Sequence, residues 1–450
     1  LGQSIEERVG AGLSAADVEA YSRGRQEPEW LLRSRLDAHA LYEAIPLPTV
    51  RDEEWRRTDL RGLRLGEVNP RVPRQPVASS VATLDPAIRA EIEASDQAGG
   101  LLVQHDGHRV YSELADQFTR KGVIFCDLET AAREHGELVQ KYLGQAVTAD
   151  YSKFSALNAT WWTGGTFLYV PRRTEVTLPL RSLVWHAAPG TSSFTRSLIV
   201  VEADADVVLV EQWLGPTQDG QSVAANVQEV LVAPGGRIRY VTLQEWGRHV
   251  WNFSVNRALV GRDATVNSLV VAFGGRLHKA NVESALQGPG ASAEMLGLLF
   301  GDGNQILDHH TLQDHQAPHT SSDLLYKGAL TDRARSIFSG MIHARKVAQK
   351  TDAIQTNRNL LLSDNSRADS IPNLEIEAND LRCTHAATVA PVDDEQMFYL
   401  QARGLTEQDA KRAIVEGFFE PVLERIPLEG IVSRLRSIIS SKIGAGSEDG

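Results

Sequence analysis

The sequence predicts a mainly β protein. Its core is a right-handed parallel β-helix over residues 156–390. An N-terminal helical and small mixed α/β region (1–155) and a C-terminal helical domain (391–450) flank it. Three observations carry this reading. Apolar spacing of three and four is present at both ends of the chain and absent from about 160 to 390. In its place run short β-branched segments, Ser197–Val201, Val207–Val210, Arg237–Leu243 and Thr265–Val271, separated by Gly, Asp and Asn turns. The turns also recur: Gly235, Gly261 and Gly288 stand 26 and 27 positions apart, with weaker echoes at Thr331–Phe338 and Ser363–Ser370. A repeat of about 20–50 residues made of short strands points to a solenoid of stacked coils. A large sandwich or barrel, with strands every 8–12 residues or so, would give a similar texture.

The flanking elements follow from local signals. Ser14 caps a helical run, and Pro28-Glu-Trp30 opens another that reaches Ala44 and stops at Pro46-Leu-Pro48. A Pro-rich connector spans Asn69 to Pro76. Asp106-Gly107 reads as a hairpin turn, Val123–Cys126 as a short strand, and Asp127 as the cap of a helix through Leu143. At the far end, Asp393-Asp-Glu starts a helix that ends at Gly404. Thr406-Glu-Gln-Asp409 has the pattern of a capping box for a helix to Gly417. After Pro427, Ile431, Leu435, Ile438 and Ile439 share one helical face. Ser447–Gly450 is expected to fray.

The composition narrows the function. At 450 residues the chain can bury a large core. A net charge of −12 speaks against a general nucleic-acid surface, which needs clustered Lys and Arg. No stretch approaches the roughly 18 apolar residues of a membrane helix. Leu1–Arg8 has no positive flank followed by an apolar block, so it does not read as a secretory signal. The two cysteines, Cys126 and Cys383, lie 257 positions apart, which suits reduced thiols in a cytoplasmic protein better than a disulfide framework. Two thiols also cannot hold a cluster that needs four.

Nucleotide-binding and hydrolase motifs are missing: no G-x-x-x-x-G-K loop and no G-x-S-x-G elbow occur. A carbohydrate-active β-helix would need convergent carboxylates, and Asp302, Asp308, Asp314 and Asp323 fall in the core. Aromatic content of 6% is low for sugar platforms. The densest histidine group is His309, His310, His315 and His319, with His343 nearby in sequence. On an unbroken strand His309, His315 and His319 would share a face and could hold a metal. Pro318 interrupts that strand, and Asp308, Gln313 and Asp314 offer ordinary hydrogen-bond partners. Cys383-Thr-His385 places a thiol beside an imidazole, two ligands suited to iron or zinc. A buried Cys and a hydrogen-bonded His closing the last strand would look the same.

Ordered motifs then run through most of the chain. They include Glu27-Pro-Glu-Trp-Leu-Leu, Asp52-Glu-Glu-Trp-Arg, Asp308-His-His-Thr311, Tyr326-Lys-Gly328 and Ala348-Gln-Lys-Thr-Asp-Ala-Ile-Gln355. Further on stand Asn357-Arg-Asn-Leu-Leu-Leu-Ser363, Cys383-Thr-His385, Gln396-Met-Phe-Tyr-Leu400 and Arg403-Gly-Leu405. Together they resemble the SufB/SufD family of iron–sulfur cluster assembly scaffolds, the SufD-type branch more closely. SufB-type chains carry a cysteine shortly before the proline matching Pro372. Here the segment is Ser366-Arg-Ala-Asp-Ser-Ile-Pro372, without sulfur. The resemblance implies a non-catalytic scaffold with no tightly bound cofactor. It would pair with a SufB-type paralogue and hold a SufC-type ABC ATPase through residues 393–440, with self-pairing open to the isolated chain. By the same resemblance, His385 would be the metal ligand and Cys383 an auxiliary one, for a transient iron–sulfur cluster shared with the paralogue. The helices from Thr406 onward read as appended to a finished core, so that deleting them would leave the β-helix folded.

Overall fold

The computed structural model describes residues 13–72, 74–94 and 97–445, so the expectations for Leu1–Arg8 and Ser447–Gly450 lie outside the described residues. Ser14 caps α1 (Ala15–Gly24) and shares a reciprocal capping box with Asp17. Pro28 precedes α2 (Glu29–Ala44). After α3 (Pro86–Glu93), Asp106 and Gly107 turn the chain between β1 (Gly100–His105) and β2 (His108–Leu114). Both sit at positive φ, 51° and 77°, as a two-residue hairpin loop requires. The one-turn α4 (Asp116–Thr119) leads into β3 (Ile124–Asp127). Asp127 then caps α5 (Leu128–Glu134), accepting from the Thr130 N–H at 2.9 Å. The expected single helix through Leu143 is instead two. His135 leaves helical geometry (φ −130°, ψ 36°), and α6 (Gly136–Tyr142) begins afresh at Gly136. α7 (Lys153–Trp161) completes the N-terminal region.

Eight coils follow, each giving one strand to each of two sheets. The pairs are β4 (Thr166–Val170) and β5 (Leu180–Trp185), β6 (Arg196–Val201) and β7 (Asp206–Leu214), β8 (Ser222–Val232) and β9 (Arg237–Glu245), and β10 (Val250–Val260) and β11 (Thr265–Ala272). Then come β12 (Leu277–Leu286) and β13 (Ser292–Gly301), β14 (Ile306–His315) and β15 (Ser321–Leu330), β16 (Arg335–Ala344) and β17 (Asp352–Leu361), and β18 (Arg367–Ile376) and β19 (Arg382–Pro391). Odd strands from β5 stack with β1 and β2 in a ten-stranded sheet; even strands from β4 stack with β3 in a nine-stranded one. The coil-to-coil pairings are parallel, and only β1–β2 and β3–β4 run antiparallel. This is a parallel β-solenoid, not the two face-packed antiparallel sheets of a sandwich.

The coil length varies, which blurs the repeat in sequence. Trp251 pairs with Leu277, 26 residues on, whereas Ser336 pairs with Ala368, 32 on. What repeats is one corner between even and odd strands. One residue of this corner is left-handed in seven successive coils, at Arg173, Asp204, Gly235, Asp263, Gly290, His319 and Lys350, with φ from 54° to 76°, and from Asp204 on it stands two residues before the odd strand. Gly235 is therefore equivalent to Asp263 and Gly290, not to Gly261 and Gly288. Gly288 is required for a different reason: a Cβ there would meet the Arg262 backbone nitrogen of the preceding coil at 2.2 Å. Side chains alternate along each strand, so one set fills the interior between the sheets and the other faces outward. Ile199, Val201, Leu209, Val230 and Ile238 belong to the interior set.

The outward faces are covered by helices. On the nine-stranded sheet, Leu157 and Trp161 of α7 and Tyr42 of α2 pack with Val223, Ala225 and Phe253. On the ten-stranded sheet lie the C-terminal helices: α8 (Asp394–Ala402), α9 (Glu407–Leu423) and α10 (Glu429–Ala445). Asp393 and Thr406 cap α8 and α9 as expected. α9 does not stop at Gly417, and even accommodates Pro421 in its last turn. Glycine in a helix costs about 1 kcal/mol; continuing past it buries Phe419, Val422 and Leu423 against Val241, Leu243, Leu269 and Leu298 of the sheet. Leu435 and Ile439 of α10 join the same cluster, so these helices complete the core and are not appended to it.

Candidate functional site

β18 and β19 form the last coil, and their side chains are half-buried or exposed throughout, unlike those of every coil before them. Register fixes which way they face. Gln355 on β17 lies across the interior from Gly340 on β16, whose added Cβ would meet the Gln355 amide at 2.5 Å. His385 pairs with Gln355, and Pro372 pairs with Gly340. His385 and Pro372 thus stand on the interior-facing sides of the last coil. Cys383, two residues before His385, is in register with Ala353 on the same side. With no further coil stacked on it, the interior opens here as a mouth. Leu374 (38% exposed), Ile376 (44%) and Val389 (40%) line it, although each has the parity of a core residue. Sequence reasoning passed over these three; their signal was the apolar alternation in the last two strands.

His385 is exposed, and its ring makes no hydrogen bond or ion pair among the described residues. It is therefore not the hydrogen-bonded histidine of the structural alternative. Cys383 is half-buried; burial, aided by the nearby Asp352 carboxylate, pushes its thiol above the usual range. At neutral pH it remains protonated and is a poor ligand, because the thiolate is the reactive form. Cys126 sits on β3 at the opposite end of the stack, with its thiol pushed up to about 12 by burial. Both cysteines are free. The thiol-free segment before Pro372 includes Ser370, whose Oγ donates to Asn357 Oδ1 at 2.7 Å.

The histidines of the 309–319 group do not converge, although His309 stacks near His278 of the preceding coil, ring centres 5.0 Å apart. His309 and His315 both face inward on β14, but six residues of strand separate them by about 20 Å. His310 points outward to Asp308 at 3.0 Å, and His319 occupies the left-handed corner, φ 57°. His278 and His315 are both lowered to about 4, by burial against the weaker opposing pull of Asp308 and Asp314 respectively. His278 Nδ1 lies 2.7 Å from Asn252 Nδ2, and both His315 nitrogens lie 2.8 Å from hydroxyls. Folding therefore requires these rings to be neutral, and an unfolded chain near pKa 6.5 takes up the protons first. Stability is full above about pH 6.5 and falls as pH drops toward 4, by about 3 kcal/mol for each ring at most. Urea midpoints measured from pH 7 to 4.5 should show this loss, and a His278→Asn/His315→Gln variant should reduce it, with the share of His309, also held neutral by burial, remaining. A flat wild-type profile would contradict it.

The core aspartates do not form a catalytic pair. Asp302 is bound by Arg248 and Lys442, Asp308 by Lys279, Asp314 by Arg345 and Asp323 by Arg425. Each carboxylate has its own cation, so none is poised as a general acid opposite a second carboxylate.

Two family models match most of the chain. A family model described as SUF system FeS cluster assembly, SufBD core domain, matches residues 184–418. A second, the SufBD protein N-terminal region, matches residues 23–181. Iron-sulfur cluster assembly SufBD family proteins of Staphylococcus saprophyticus and Staphylococcus haemolyticus are each 30% identical over 437 residues, which is 95% of this chain and 92% of theirs. A Staphylococcus aureus SufBD family protein is 29% identical over the same span.

Proposed function

Because the chain belongs to the SufBD family of the SUF iron–sulfur cluster assembly system, we propose that it is the SufD-type scaffold subunit of that system. It pairs with a SufB-type paralogue through the open last coil, and its cargo is a nascent cluster held between the two. The carrying observation is the mouth itself: exposed apolar residues of core parity share this open end with an unbonded His385, on two sheet edges that a further coil could extend. Unpaired edges of this kind are templates for another chain. Assignment to the SufD-type branch rests on the missing sulfur between Ser366 and Pro372, which leaves the imidazole as the ligand this chain offers.

A SufC-type ATPase would supply the nucleotide hydrolysis and dock on the C-terminal helices. The apolar faces of α9 and α10 are turned inward, so docking has to use other surfaces. Phe398 (72% exposed) and Tyr399 (56%) on α8 are the large apolar side chains these helices leave outside. No helix among the described residues is long and apolar enough to cross a membrane, and the reading places the complex in the cytoplasm.

Co-expression with the paralogue and the ATPase tests the proposal. We expect a ternary complex whose iron and sulfide content depends on all three chains. Phe398→Ala/Tyr399→Ala should weaken ATPase co-purification roughly tenfold or more, as loss of an aromatic anchor does. If that variant loses the paralogue and keeps the ATPase, these residues belong to the scaffold pair. If no complex forms with either partner, the proposal fails.

A further inference from the structure

On the outward face of the nine-stranded sheet, next to the mouth but on the other side of the strand, Asp314, His343 and Glu375 lie in register across β14, β16 and β18. Glu377 follows one residue after β18, and its N–H donates to the Ala344 carbonyl. One donor atom from each of His343, Glu375 and Glu377 lies within 4.8 Å of the others. We infer that these three side chains form a binding site for a labile first-row divalent metal ion, ferrous iron in this setting. The choice of iron rests on the function proposed above; the site does not.

Two observations separate this group from an ordinary acidic patch. His343 Nε2 is shielded from solvent, has no hydrogen-bond partner, and lies 3.6 Å from Glu377 Oε1. An imidazole nitrogen turned toward carboxylates without bonding them is placed as a ligand would be. Its other nitrogen, Nδ1, faces the buried Asp314 carboxylate at 3.8 Å. A carboxylate behind a ligating histidine is the usual device that orients the ring. Asp314 is itself fixed by Arg345 (2.9 and 2.8 Å) and Gln316 (2.6 Å). Burial opposes its charge, but these bonds outweigh it and hold the carboxyl below its usual range. Glu377 Oε2 accepts the Lys346 N–H at 3.2 Å, which limits its movement while leaving Oε1 for a metal.

One imidazole and two carboxylates suit Fe²⁺, Mn²⁺ or Zn²⁺ over Mg²⁺, which favours oxygen alone. Three protein donors leave coordination positions open, so the ion would exchange readily. Glu375 and Glu377 are exposed, giving it direct access from solvent. The pairing is hidden in the sequence because His343 and Glu375 stand 32 residues apart, one full coil.

The test is anaerobic calorimetric titration of the full-length chain with Fe²⁺, with Zn²⁺ and Mg²⁺ as separate arms. We expect about one equivalent of Fe²⁺ to bind, Zn²⁺ to compete for it, and Mg²⁺ to bind far more weakly. Glu375→Gln/Glu377→Gln, at exposed positions that do not threaten the fold, should weaken Fe²⁺ binding roughly tenfold or more. His343→Gln should do the same. The inference is overturned if Fe²⁺ does not bind, if the variants bind like wild type, or if Mg²⁺ binds as tightly. Cluster yield in the ternary complex is not the readout, so failure of the scaffold proposal would be seen separately.

Discussion

In the ternary complex, His385→Ala is expected to lower cluster content roughly tenfold or more while leaving complex assembly and stability intact. The size follows from the loss of a metal ligand, since even outer-shell partners typically cost about 10–100-fold in metal affinity. The selectivity follows from exposure. His385 has no bonded partner to lose, so its removal should change stability by no more than about 0.5 kcal/mol. Cys383→Ser should have a smaller effect on cluster content, because the thiol is held protonated in the free chain. The measurements are iron and acid-labile sulfide per complex, the absorption of the cluster, and the urea midpoint of the isolated subunit. Unchanged cluster content in His385→Ala would leave this chain as a structural scaffold without a ligand of its own. A larger loss from Cys383→Ser would transfer the ligand role to the thiol.

Deleting residues from Thr406 onward is expected to destroy the soluble solenoid and not merely the ATPase site. The deletion uncovers Val241, Leu243, Leu269, Val271, Leu296, Leu298 and Phe300 along one sheet face. Burial of such side chains is worth roughly 1.5–3 kcal/mol each, more in sum than the whole stability of a typical domain. A graded version is Leu435→Ala, which removes a fully buried α10 side chain and should cost about 2–5 kcal/mol by urea unfolding. The truncated protein is expected in aggregates, or bound to a hydrophobic dye if recovered. A soluble truncated chain with cooperative unfolding would show that the sheet face stands alone. Loss of ATPase binding on truncation therefore says nothing about the docking surface, and the α8 aromatics are the sharper probe.

Elements set by neighbours in sequence were legible from sequence. Ser14, Asp127, Asp393 and Thr406 cap helices because a side-chain oxygen reaches an N–H two or three residues on. Asp106-Gly107 makes its hairpin because both residues tolerate positive φ. The solenoid itself was legible from the loss of helical spacing and the recurrence of turns, and the family from motifs along the chain. Where sequence and structure part, a distant partner decides. α9 passes Gly417 because a sheet face waits for Phe419 and Val422, and local propensity cannot register that contact. The glycine spacing mixed two corner positions, since the left-handed residue can be Asp, His or Lys once the coils on either side fix the backbone. Cys383 and His385 could be placed on one face from strand periodicity alone. That this face borders an open mouth depends on the absence of a coil beyond β19. His343, Glu375 and Glu377 meet only because coils of 29 and 32 residues set Asp314, His343 and Glu375 in one row. A chain with coils of 26 to 32 residues does not announce its register, so the sequence determines the kind of fold and its local caps, while stacking decides which side chains become neighbours.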